Sequence, residues 1–197
     1  MNSSIVHFNK RIQEIKDLTS TIDHIDGMTT TALDISDLYR SQIVLTVSAL
    51  DHLIHEFVLE EMMETYNGRR TPSPAFNRFS IPISTVQGSL PSSNVISSHI
   101  RQKHSWLSFQ DPDKIADATR LISDLKLWEE VAPSFGLSSG DIKAQLKLIV
   151  DRRNKIAHES DLDPSNPGVK WPISTTDVRD VIDFIEKVGN EIYAKIK

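Results

Sequence analysis

The chain has 197 residues, 39% hydrophobic and 25% charged, with a formal net charge of −5 and no cysteine. That is globular composition, enough for one domain with a real core, and it excludes disulfide frameworks, thiolate zinc sites and cysteine nucleophiles. An acidic surface is a poor non-specific coat for nucleic acid, so any such role requires a local basic site. The start, MNSSIVHFNKRIQEIK, has no basic segment ahead of an apolar run, so no signal peptide is expected. The uninterrupted apolar stretches are short, which is read as excluding a membrane span. The lack of cysteine fits a reducing cytoplasm.

Ile5, Phe8, Ile12, Ile15, Leu18 and Ile22 recur at helical spacing and predict a first amphipathic helix that stops near Gly27. A second helix is expected from about Thr31 to Tyr66, with Ile43, Val47, Leu50, Ile54, Phe57 and Val58 as its stripe and Asn67-Gly68 as its end. The next segment, RRTPSPAFNRFSIPIS, carries three prolines and two phenylalanines that read as exposed, and it predicts a loop. Residues 82 to 110 give the weakest pattern, with a helix start at Pro91-Ser92-Ser93-Asn94.

Asp111-Pro112-Asp113 predicts a capped helix through Ile115, Leu121, Ile122 and Leu125. Ser138-Ser139-Gly140-Asp141 opens another, through Ile142, Leu146, Ile149 and Val150 to about His158. Asp163-Pro164 and Asn166-Pro167-Gly168 force a turn. A last helix starts near Ser174-Thr175-Thr176-Asp177 and carries Val181, Ile182, Ile185, Val188 and Ile192. The expectation is an all-α fold, an antiparallel helical bundle of five to seven helices, with residues 1–197 forming a single domain.

One position breaks its own pattern. With Ile142 at zero on an ideal helix, Leu146, Ile149 and Ile156 lie within roughly 40°, and Arg153 falls at about 20°, inside the apolar stripe. A guanidinium cannot lose its charge, so this placement calls for a partner or a function. On the second helix Asp51 stands about 80° from Ile43, at the stripe's margin, and is the candidate partner for a bidentate pair. A functional site and a purely structural ion pair are both open. His158 lies about 140° from Arg153, so the two converge only if the helix loosens near Ala157 or a second copy supplies the missing group. Lys143, Lys147, Arg152, Arg153 and Lys155 against Asp151 give the segment a local charge of +4. It either attracts anions or places cations at a helix C-terminus.

Arg153-Asn154 followed by His158, within DRRNKIAHESDLDPSN and ahead of WPISTTDVRDVIDFIEKV, resembles the signature of the HEPN superfamily, in particular its RiboL-PSP-HEPN branch. LYRSQIVLTVSALDHLIHEFV and FQDPDKIADATRLISDLKLWEEVA extend the resemblance to roughly residues 36 to 192. It implies a helical bundle that often dimerises and frequently acts as a metal-independent endoribonuclease in toxin–antitoxin or phage-defence systems. The implied site has His158 transferring a proton and Arg153 stabilising charge on the phosphate. Asn154 supports them in the implied site; the helix-wheel position adds Asp51 as support, and the local charge adds Lys155, Arg152 and Lys147 as substrate-binding residues. RNA, a second copy and an antitoxin or defence protein are the implied partners, with no cofactor or metal. Related toxins carry a tyrosine two residues after the histidine; here that position is Ser160, so silencing by adenylylation there is not expected. A non-catalytic HEPN module that regulates a partner protein is the alternative.

Other constellations carry less. Gly136-Leu137-Ser138-Ser139-Gly140 matches a nucleophile elbow but has no strand before it, so Ser138 or Ser139 reads as a helix cap. Asp51, His52, His55 and Glu56 crowd the second helix without completing a metal-ligand pattern. Arg101, Lys103, His104, Trp106 and Phe109 form a basic-aromatic patch, either a base-stacking surface or a helix end with core aromatics. Arg69, Arg70 and Arg78 flank the proline-rich loop and are open to phosphate or to a partner protein.

Overall fold

The computed structural model describes residues 3–30, 33–86 and 90–197. It contains α1 (Ser3–Met28), α2 (Ser36–Tyr66), α3 (Pro74–Asn77), α4 (Ser93–His104), α5 (Pro112–Thr119), α6 (Leu127–Val131), α7 (Ser139–Glu159) and α8 (Thr175–Ile196). Two 3₁₀ turns lie at Ile83–Val86 and Ala132–Phe135. The all-helical expectation holds, and the described residues form no strand, only one isolated bridge between Leu162 and Lys170. The eight α-helices among the described residues exceed the expected five to seven: Pro74–Asn77 is a short helix within the segment read as a loop, and Leu127–Val131 is another beyond the end expected for the helix that opens at Asp111.

Local chemistry sets most helix starts. Ser138 Oγ accepts the backbone N–H of Asp141 to open α7, and Ser174 with Asp177 forms a reciprocal capping box on α8. Asp111 caps α5 through the N–H groups of Asp113 and Lys114. That helix ends at Thr119 rather than continuing to Leu125, and Leu127–Val131 is a separate turn. The expected start of the second helix at Thr31 lies outside the described residues.

α2 is the central helix, packed against α1, α8, α7, α4 and α5. Its stripe of Ile43, Val47, Leu50, Ile54, Phe57 and Val58 is buried as expected, facing Phe8, Ile12 and Ile15 of α1 and Ile182, Ile185 and Val188 of α8 within one hydrophobic cluster. By length and composition α2 could cross a membrane, so short apolar runs do not exclude a span as the sequence reading held. Most of its apolar window is nevertheless buried among the other helices. Leu18 departs from the expected α1 stripe: it is exposed, and Thr19 is buried instead. Phe76 and Phe79 are half-buried against the core rather than exposed. At Gly189 an added Cβ would stand 2.5 Å from the Phe8 ring and 3.0 Å from Leu53, so the bare backbone lets α8 sit close on α1 and α2.

Candidate active site

α7 runs unbroken to Glu159, so the helix does not loosen near Ala157. Arg153 departs from its expected place in one respect: its side chain is partly buried rather than sunk in the core. Its Nη1 donates to Asn154 Oδ1 at 3.1 Å, and its Nε is buried without an acceptor. No carboxylate among the described residues lies within ion-pairing distance of it. A permanent cation held in place without a counterion has donors free for an anion.

Asp51 is not that counterion. Its carboxylate accepts the backbone N–H of Phe109 at 2.5 Å and the side-chain amide of Gln110 at 3.2 Å, with His55 Nε2 3.8 Å away. The expected Asp51–Arg153 pair is therefore replaced by a tether between α2 and the loop that follows α4. That loop forms one side of a groove of about 680 Å³, and α7 forms another with Val150, Asp151, Arg153 and Asn154. Trp106, Leu107 and Lys114 also line it. Asp51 supports the groove from beneath without facing Arg153.

His158 is exposed in the last turn of α7 and is not among the groove-lining residues. It makes no hydrogen bond to Arg153. On a regular helix, however, it follows Asn154 by four residues and shares its face. Arg153 reaches sideways to Asn154, so the order Arg153, Asn154, His158 follows the helix surface outward from the groove.

A family model described as RiboL-PSP-HEPN matches residues 7–197. The chain belongs to the RiboL-PSP-HEPN family. HEPN domains are helical and are commonly RNases or nucleotide-binding modules. No curated protein and no solved structure gives a match.

In this HEPN chain the cations near the motif divide into two groups. Lys147 and Lys155 are exposed, and neither forms an ion pair among the described residues. Arg152 differs: its Nη2 donates to Asp161 Oδ2 at 2.7 Å and to the carbonyl of Pro172 at 3.2 Å. It is thus engaged in structure, contrary to its expected role on substrate. Asp161 is fully buried and also accepts Arg40 Nε at 2.7 Å, while Arg40 Nη2 donates to the carbonyl of Trp171 at 2.6 Å. This cluster closes α7. The N–H of Asp161 returns to the carbonyl of Lys155, and Ser160 and Asp161 both take positive φ, 55° and 57°. A helix end of this kind usually uses glycine; here two guanidiniums on one buried carboxylate hold it. Sequence reading missed the Arg40–Asp161 pair, since its members lie 121 residues apart.

The remaining clusters resolve into structure. Glu56 binds Arg101, whose guanidinium holds the carboxyl below its usual range, and His55 packs on Phe109 with ring centroids 4.4 Å apart. Among the described residues no group of three or more His, Asp or Glu side chains is placed to hold a metal. Arg70 is tied to buried Glu61 and to the carbonyls of Ile122 and Ile196, and Arg69 to Glu64. Arg78 lines a different groove, near Asp113 and Lys143. His104 and Phe109 are core aromatics in edge-to-face contact, whereas Trp106 stands in solvent.

Proposed function

We propose that this protein is a metal-independent endoribonuclease of the toxin or defence type, with Arg153 and His158 as its catalytic pair and Asn154 as their support. The observation that carries this reading is the uncompensated Arg153 guanidinium in the α7 groove, hydrogen-bonded to Asn154. RNA supplies its own nucleophile. The His158 imidazole takes the proton of a 2′-OH, and the 2′-oxygen attacks phosphorus while the P–O5′ bond breaks. The departing 5′-oxygen takes a proton from water and His158 returns its own to solvent, leaving a 2′,3′-cyclic phosphate and a 5′-OH end. Arg153 stabilises the charge that builds on the phosphoryl oxygens. The regular course of α7 leaves His158 outside the groove of its own chain, which favours a cleft shared by two copies. Lys147 and Lys155 then lie free for neighbouring phosphates, in a cytoplasmic protein controlled by an antitoxin or defence partner.

The test is cleavage of mixed cellular RNA in EDTA by wild type, Arg153→Ala and His158→Ala. Cleavage by wild type alone, leaving cyclic-phosphate ends, is expected. A second reading, a non-catalytic HEPN module that regulates a partner protein, draws on the same separation of His158 from the groove. It takes precedence if folded wild type leaves tRNA, rRNA and mRNA intact.

A further inference from the structure

Trp106 is 91% exposed, the most exposed large apolar side chain among the described residues. Its loop is not loose. His104 and Phe109, on either side of it, are buried, and Asp51 fixes Phe109 and Gln110 from α2. Leu107 N–H returns to the carbonyl of His104 at 2.9 Å. The fold thus holds a solvated indole on a pinned support, at the edge of the groove that contains Arg153.

We propose that this groove takes an unpaired nucleotide of single-stranded RNA, with Trp106 stacking on its base and Arg153 holding a phosphate. The proposal rests on the nuclease reading and adds to it the strandedness of the substrate. The groove's 680 Å³ falls within the range of about 300–1,000 Å³ typical of sites for small ligands. A solvated indole beside a guanidinium that has no counterion can stack a base while a phosphate is held, since every base has a π-face and only an unpaired one can offer it. Of the groove's three acids, Asp111 is engaged in capping α5 and Asp117 is paired with Arg120, while Asp151 stands exposed on α7; Lys114 and Arg153 are the cations. Protein hot spots centred on tryptophan lie within a ring of contacts that excludes water. Around Trp106 the chain instead supplies Lys103, Ser105 and Ser108 beside Leu107, with Phe109 turned into the core.

The test uses a 2′-O-methyl oligoribonucleotide, which binds but lacks the nucleophile for cleavage, as a single strand and annealed to its complement. Wild type, Trp106→Ala and Trp106→Phe are titrated, and their cleavage of ordinary RNA and their self-association are measured in parallel. Expected results are preference for the single strand, about 5- to 150-fold weaker binding by Trp106→Ala, and near wild-type binding by Trp106→Phe. Single-strand binding by Trp106→Ala equal to wild type overturns the proposal, and RNA cleavage that still depends on His158 then leaves the nuclease reading intact. Loss of self-association in Trp106→Ala with RNA binding unchanged also overturns it, in favour of a protein contact. Wild type that neither binds nor cuts RNA overturns both.

Discussion

Asp51 accepts the backbone N–H of Phe109, 58 residues further along the chain. The helix-wheel position that made Asp51 a partner for Arg153 instead fixes the loop across the groove from it. A carboxylate with two amide donors has the acceptor geometry that a lone guanidinium would otherwise have used.

A double-mutant cycle separates the two pairings. Asp51→Ala should destabilise the fold by about 2–3 kcal/mol, the scale of hydrogen bonds to a charged acceptor. Arg153→Ala should cost less than about 1 kcal/mol, because no ion pair is lost. Their coupling, from urea denaturation of both single variants and the double variant, should stay below about 0.5 kcal/mol. A larger coupling would restore the Asp51–Arg153 pair.

Asp161 should be among the most sensitive positions in the chain. Asp161→Ala leaves the Arg40 and Arg152 guanidiniums facing each other without their shared anion, at an expected cost of about 3–5 kcal/mol. Asp161→Asn keeps an acceptor and tolerates the positive φ, so it should lose less. Thermal melts of the two variants give the comparison, and equal Tm values would show that a neutral acceptor contributes nothing and that the lost charge carries the whole effect.

Burial lowers His104 to about 4, with His55 and Lys103 nearby acting in the same direction. The unfolded chain takes up this proton near pH 6.5 and the folded chain only near pH 4. Its contribution to stability is therefore complete above pH 6.5 and is lost as pH falls through that window. His104→Leu should lose less stability than wild type between pH 6.5 and 4, measured as Tm against pH. Parallel curves would show that His104 is not the group responsible.

Gly189→Ala sets two effects against each other. Alanine gains about 1 kcal/mol of helix propensity, but its Cβ would meet the Phe8 ring at 2.5 Å. Phe8 is itself buried and has little room to move. Overpacking of this kind costs about 1–3 kcal/mol, so net destabilisation is expected. A Tm at or above that of wild type would show that the ring can shift.

What the sequence reveals is what is local. Ser138 with Asp141, Asp111 with its two N–H groups, and Ser174 with Asp177 are readable as helix starts because every partner lies within three residues. The apolar stripe of α2 is readable because burial follows the helical period. Arg153 is readable as an anomaly for the same reason, but its surroundings are not, because the loop opposite it comes from residues 105–110. The overlong reading of α5 fails for a related cause. Leu121 and Ile122 keep helical spacing, yet they pack from a turn whose carbonyls serve Ser73 and Arg70. Trp106 is visible in the sequence as part of an aromatic patch, and only the fold separates it from His104 and Phe109.

The cluster that closes α7 also bears on how the protein would be dissected genetically. On the proposed nuclease function, a selection for inactive variants should return Arg40, Arg152 and Asp161 alongside Arg153 and His158, although none of the first three lines the groove. Judged by phenotype alone, an active centre drawn from such a screen would be displaced toward the base of the motif helix. Soluble yield separates the two sets: the clamp variants should disappear from the lysate, and the Arg153 and His158 variants should accumulate as inert protein.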